Sequence, residues 1–346
     1  MAKQLFDLPD ELLLNILSYI TNIREKIRLA SVNSTFYNLV TEACRTQNYK
    51  LINHSDYMYE SEYKKLENTE NIIKLPELLR IAPKLTHFVD KIFHFSYDHN
   101  SDTNQQKCEP ISLIHTKYIY LDLCKANFFG RPYDNFDRKA EIILGNIPNV
   151  TTLDIRMDKE YKLNFPSMVN LKVFKFSYFA TNGFQLHPFP SKIVDDVLRN
   201  APNLEEIYIN SKYITVDPNL PEFLAKLSTN CPNLRALKIF YQVTDFGRLR
   251  SFFEPFDFND GHKLLKLEYL NFTGFYIPID LWESLLSLTP NLKYLLFDSS
   301  IDLRIKSLIT RNCPRAKYDQ ERPFEIEEEF RIYNQRTYGF DGDRYL

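Results

Sequence analysis

Four stretches of this chain are versions of one another, and no other feature of the sequence restricts its fold as much. Pro148-Asn149-Val150-Thr151-Thr152-Leu153, Pro202-Asn203-Leu204-Glu205-Glu206-Ile207, Pro232-Asn233-Leu234-Arg235-Ala236-Leu237 and Pro290-Asn291-Leu292-Lys293-Tyr294-Leu295 share the form P-N-L-x-x-L. Each runs on to a large apolar residue two places later. Weaker versions surround Leu85, Leu171 and Leu267. Tyr118-Ile119-Tyr120-Leu121-Asp122-Leu123 fits without its Pro, and Cys313-Pro314-Arg315-Ala316 is a decayed last copy. The first apolar anchors stand at 85, 118, 150, 171, 204, 234, 267, 292 and 316, separated by 21 to 33 residues. A recurring period of this length dictates an array of stacked units.

The physics of one unit follows. L-x-L alternation puts every second side chain on one face, as in a short half-buried strand. Helical patterns precede the Pro residues, as in 191–200, 221–230 and 280–288. Pro ends each helix, because it cannot continue the hydrogen-bond ladder. One strand and one helix cannot bury their apolar faces alone, so the units should stack with parallel strands inside and helices outside. This α/β pattern resembles a leucine-rich-repeat solenoid of the long, intracellular kind, over residues 81–320, with about 8–9 irregular repeats. The Asn or Cys usual in that family after the strand is replaced by Asp158, Lys212, Gln242 and Ser300. Irregular turns are therefore expected.

Composition removes other classes. Only 8 of the 346 residues are Gly, against a usual level of about 7%. Phosphate-cradling loops need glycines for close backbone approach. The nearest pair here, Gly339 and Gly342, has no strand-to-helix setting. Lys plus Arg number 43 and Asp plus Glu 45. With no basic cluster, neither a nucleic-acid nor a membrane-surface partner is expected. Five Cys without a C-x-x-C suit a reduced compartment. The opening Met1-to-Asp7 lacks signal-peptide organisation. A cytoplasmic or nuclear location, or both, is the expectation.

The first 45 residues carry no repeat. Pro9 followed by Asp10 and Glu11 is a strong helix start. Further helical patterns run over 24–30 and 33–40, with Ser31 or Asn33 as candidate cap. The first helix is apolar at 12, 13, 14, 16, 17 and 20, more than one buried face requires, so part of it should meet a partner or the repeats. Leu8, Pro9, Glu11, Leu12, Leu13, Ile16, Leu17, Leu29, Val32 and Phe36 match L-P-x-E-[LI]-[LI], I-L and L-x-x-V-x-x-x-[WF]. This region resembles an F-box, a small all-α, three-helix domain. Phe36 replaces the commoner Trp. The resemblance implies that these ten residues bind a Skp-type adaptor and, through it, a cullin. The expected organisation is an F-box at 1–45, a helical linker or cap at 46–80, repeats at 81–320 and a tail at 321–346.

No catalytic signature of the G-x-S-x-G, H-E-x-x-H or kinase kind is present. His87, His94, His99 and Cys108 are irregularly spaced in a polar stretch and read as a loop between repeats. Glu205-Glu206 and Glu327-Glu328-Glu329 read as solvated. No cofactor or metal is expected, and the chain is not read as an enzyme. Strand residues between the buried leucines should line the concave face of the solenoid. Tyr208, Lys238, Phe240, Tyr269 and Tyr294 are the candidate substrate-binding set, drawn as one neighbouring row. Aromatics flanked by charge are typical interface anchors; lateral stacking between strands is the other reading of the same row. The tail holds too many aromatics for a solvated segment, and either caps the last repeat or folds back over the concave face. Two functional readings follow from the resemblance and the repeats. The first is a substrate receptor of an SCF-type ubiquitin ligase. The second is a non-catalytic interaction scaffold outside such a ligase.

Overall fold

A computed structural model describes residues 8–20, 23–45, 49–53, 79, 81, 84–90, 113–123, 140–141, 143–158, 161–179, 187–188, 191–212, 214–216, 220–242, 263–273, 277, 279–297, 303–318 and 323–338. The chain divides into two compact units, Met1–Ile155 with Tyr161–Met168, and Arg156–Glu160 with Val169–Leu346.

The first unit opens with helices α1 (Asp10–Tyr19), α2 (Ile23–Ala30) and α3 (Ser34–Arg45). The Pro9 carbonyl accepts the first-turn amides of Leu12 and Leu13, and Asp10 and Glu11 sit at the positive end of the dipole. Of the two candidate caps Asn33 serves α3, its Oδ1 accepting from the Phe36 amide at 2.8 Å. Ser31 instead donates back to the Arg28 carbonyl. Leu13, Leu17, Ala30, Phe36, Leu39, Val40 and Cys44 are buried. Strands β1 (Tyr49–Asn53), β2 (Leu85–Asp90) and β3 (Tyr118–Asp122) then pair in parallel, in sequence order. The strand at 49–53 corrects the expectation of a helical linker there: Tyr, Leu and Ile favour a pleated surface, and β2 offers a parallel partner. Of the rest of that linker only residue 79 is described, and it is helical; His94, His99 and Cys108 and the tail beyond Tyr338 lie outside the described residues. Strand β4 (Thr152–Met157) alternates half-buried and buried side chains along its whole length.

The second unit contains β5 (Val173–Phe179), β6 (His187–Pro188), α4 (Ser191–Asn200), β7 (Glu206–Lys212), β8 (Ile214–Val216), α5 (Leu220–Asn230) and β9 (Ala236–Gln242). It continues with β10 (Tyr269–Phe272), α6 (Ile279–Leu288), β11 (Tyr294–Phe297), α7 (Leu303–Asn312), β12 (Lys317–Tyr318) and α8 (Pro323–Tyr338). Strands β5, β7, β9, β10, β11 and β12 pair in that order, all parallel, while β6 and β8 make a small ladder of their own. One face of this sheet carries buried Ile207, Ile209, Leu237, Ile239, Leu270, Phe272, Leu295 and Phe297. Helix side chains complete the core; Trp282 meets Phe297 edge-on with ring centroids 4.7 Å apart. This is an α/β architecture of parallel strands and helices, preceded by a small helical region.

The P-N-L phrase has a physical job. In each copy the residue before Pro accepts from the amide three places on: Val150 to Ile147 at 3.3 Å, Leu204 to Ala201 at 3.3 Å, Leu234 to Cys231 at 3.0 Å and Leu292 to Thr289 at 3.2 Å. That is a β-turn with Pro at its second position, where its fixed φ is preset, so the corner needs no glycine. The Asn side chain then reaches one unit back. Asn149 Nδ2 donates to the Ile114 carbonyl, Asn203 Nδ2 to Val169 and Asn291 Nδ2 to Leu265, each at 2.8 Å. All three acceptors occupy the second position of the preceding turn. The main chain follows the same rule: the carbonyls of Lys172, Glu205, Arg235 and Glu268 each accept two amides from the unit after them. Anchors Val150, Leu171, Leu204, Leu234, Leu267 and Leu292 are all buried beneath these corners.

Candidate interaction surfaces

The helical region sorts the ten adaptor-contact candidates by exposure. Leu13, Leu17 and Phe36 are buried and hold the three helices together, so they cannot touch a partner directly. Leu8 and Leu29 are half-buried, while Pro9, Glu11, Leu12, Ile16 and Val32 are exposed. Leu12 (49% exposed), Ile16 (44%) and Tyr19 (79%) recur at i, i+4 and i+7, so they form one stripe along α1. Val32 (58%) adds apolar surface in the α2–α3 turn. Sequence reasoning foresaw the surplus of apolar residues but missed Tyr19. Lys26, by contrast, is buried in α2; desolvation lowers its pKa, and attraction to Cys44 opposes the shift.

In the second unit the five substrate-binding candidates do not share a row. Register places Glu206, Ala236, Tyr269 and Tyr294 side by side, then Tyr208, Lys238, Asn271 and Leu296 two residues on, then Asn210 beside Phe240. Counting from the shared Pro gives the same alignment, since Glu206, Ala236 and Tyr294 each stand four places after theirs.

Tyr269 and Tyr294 are also not open to a ligand. Helix α8 lies over them, forming a cluster of Ala236, Tyr269, Tyr294, Leu296, Ile326 and Phe330, with Tyr333 at its edge. The Phe330 ring packs on Tyr294 at 5.7 Å, and Tyr333 on Tyr294 at 5.9 Å. Tyr269 is only 1% exposed. Of the two courses expected for the tail, its described part covers the strand face.

Ion pairs fix the position of α8. Lys238 pairs with Glu327 and Lys317 with Glu329 at 2.6 Å, while Glu328 is taken up by Arg331 within the helix itself. The Lys293 ammonium lies 2.8 Å from the Tyr333 hydroxyl and 2.6 Å from Glu268. Burial works to lower the Lys293 pKa, but these two partners outweigh it and hold the pKa above its ordinary value. Desolvation raises the Tyr294 phenol. The acidic run at 327–329 is therefore engaged, and the i, i+4, i+7 spacing of Ile326, Phe330 and Tyr333 is the sequence signal that identifies the docked side.

Glu206 differs from expectation too. It is 3% exposed, meets Arg235 at 3.2 Å and accepts from the Tyr208 hydroxyl at 2.7 Å. Arg235 also reaches Glu205 at 3.4 Å, and Lys172 meets Glu205 at 2.8 Å. Beyond α8, Lys175 stands over the Tyr208 ring at 5.7 Å, and Tyr208, Lys238 and Phe240 keep partial exposure. Cys231 and Cys313 are buried, and desolvation pushes the Cys231 thiol up to about 12. Among the described residues no three His, Cys, Asp or Glu are grouped to hold a metal ion, and no helix is long and apolar enough to cross a membrane.

Residues 5–44 match the family model described as F-box-like. This stretch contains the exposed stripe of α1 and all ten adaptor-contact candidates. The chain thus carries an F-box-like domain, a module that generally binds Skp-type adaptors. No curated protein matches the chain.

Proposed function

We propose that this protein is a substrate-recognition subunit of an SCF-type ubiquitin ligase. The observation that carries the reading is the exposed Leu12-Ile16-Tyr19 stripe within the F-box-like domain, a solvent-facing apolar surface with the geometry of a docking helix. In this reading that surface meets a Skp-type adaptor, the adaptor links to a cullin, and the units after residue 81 form a leucine-rich-repeat solenoid that holds a protein substrate. The chain performs no covalent chemistry; it contributes proximity and orientation. Its place of action is the cytoplasm, the nucleus or both.

The test mixes the purified full chain with a purified Skp-type adaptor and follows co-elution. The wild type should co-elute. The variant Leu12→Asp with Ile16→Asp should not, while its circular dichroism stays unchanged because both side chains already face water. Affinity capture from cells should bring down adaptor and cullin together. A wild type that binds no adaptor sinks this reading and leaves the scaffold role, in which the helical region serves the chain's own assembly.

A further inference from the structure

We infer that the strand face under α8 is a docking surface for an acidic protein helix bearing aromatic residues, and that α8 is its occupant in cis. If the substrate-receptor reading holds, this names the chemistry of what the receptor accepts; the surface itself rests on the second unit alone.

The seat is complementary to its occupant in two independent ways. Apolar area is supplied by Ala236, Tyr269, Tyr294 and Leu296, onto which Ile326 and Phe330 fit. Positive charge is supplied by Lys238 and Lys317, which take Glu327 and Glu329. The aromatic contacts set where the helix lies along the strands, and the two lysines at its borders select acidic sequence.

The surface also runs on past the helix. Register carries the Lys238 row to Tyr208 and then Lys175, both part-exposed. Beside them Phe240 is part-exposed, and Asn210 Oδ1 is buried without a hydrogen-bond donor among the described residues. A helix arriving from another protein therefore finds the same alternation of aromatic and lysine beyond the end of the α8 seat. Ion pairs such as Lys317–Glu329 are half-exposed, so they contribute selectivity more than strength and weaken with salt. An occupant held in this way can be exchanged for a competitor that reaches further along the row.

The probe is a fluorescent peptide of residues 321–338, titrated into the full chain and read by anisotropy. Wild type should bind weakly, because α8 holds the seat. The Phe330→Ala/Tyr333→Ala chain should bind at least tenfold more tightly, and adding Lys238→Glu should reverse that gain. Peptides carrying Glu327→Lys, or scrambled at equal charge, should lose binding at least tenfold. A loosened chain that takes up the peptide no better than wild type, or one that takes up the scrambled peptide equally, overturns the inference.

Should the double variant fail to fold, a cleavable insertion between Tyr318 and Pro323 gives the same comparison before and after cutting. Uptake only after cutting supports the inference, and no uptake overturns it. None of these readings involves the adaptor, so their failure is distinct from failure of the ligase reading.

Discussion

The rings of Tyr269 and Phe330 stack with centroids 4.0 Å apart and planes 17° from parallel. A strand residue and a residue 61 positions later thus bury one another, and the last described helix is tied to the middle of its sheet. Burial of a core Phe is worth about 3–5 kcal/mol against Ala. Because Phe330 belongs to one docked helix, its loss should fall on that helix alone. Phe330→Ala is expected to speed amide hydrogen exchange across 323–338 by roughly a hundredfold or more, leaving α4 protected. Equal acceleration in α4 would show that α8 is part of the global fold instead.

The Asn corner bonds carry a separate prediction. Asn203→Ala removes the donor to the Val169 carbonyl, a solvent-accessible bond, so the cost should be about 1 kcal/mol. Asn203→Asp offers no donor either and should be no better. Thermal unfolding of the two variants checks this, and an Asp variant as stable as wild type contradicts it.

Two acidic residues should differ sharply. Glu206 is buried with Arg235 and Tyr208, and truncating one member of a buried pair costs about 3–5 kcal/mol. Glu283 and Arg311 form an exposed pair, worth about 0.5 kcal/mol or less. Chemical unfolding of Glu206→Ala and Glu283→Ala should show that gap.

The helical region offers a comparable split. Leu17→Ala opens a cavity in a small core and should cost about 2–5 kcal/mol. Leu12→Ala removes a solvent-facing side chain and should stay within about 0.5 kcal/mol. Melting curves read by circular dichroism separate them; a destabilised Leu12→Ala would mean that this face is packed.

Cys231 should make stability fall at alkaline pH. Its folded pKa is raised from 9.0 to about 12, so below pH 9 both states keep the proton and nothing changes. Above pH 9 the unfolded chain releases a proton that the folded chain retains, and stability is lost progressively up to about pH 12. Replacing Cys231 with Ala should make that alkaline decline shallower, measured as melting temperature against pH. For the same reason the native thiol should resist alkylation at pH 8.

Most strands and helices of the repeats are legible because each obeys its own period, and P-N-L marks four of the corners, those before Val150, Leu204, Leu234 and Leu292. Which strand face is solvated was not legible. Alternation assigns Tyr269 and Tyr294 to a face, but only the return of α8 across some 60 residues decides whether water or Phe330 lies against them. Glu206 reads as solvated in sequence for a related reason: its partner Arg235 comes from the next unit, and adjacent Glu residues say nothing of what a parallel neighbour presents. In the helical region the match itself was plain, whereas separating inward Leu17 from outward Ile16 needed the three helices assembled.

A parallel sheet assembled one unit at a time has no internal reason to stop. Each finished strand offers its successor the same ladder of amides and carbonyls, and a second copy of the chain could read that offer as readily as the next repeat. Strand β12 answers with two residues, Lys317 and Tyr318, the first already engaged by Glu329 of α8. Among the described residues this is the last strand, and one so short and charged is a poor template for edge-to-edge growth. Variants that free α8 also release Lys317 at this edge, and they should be watched for filaments as well as for new partners.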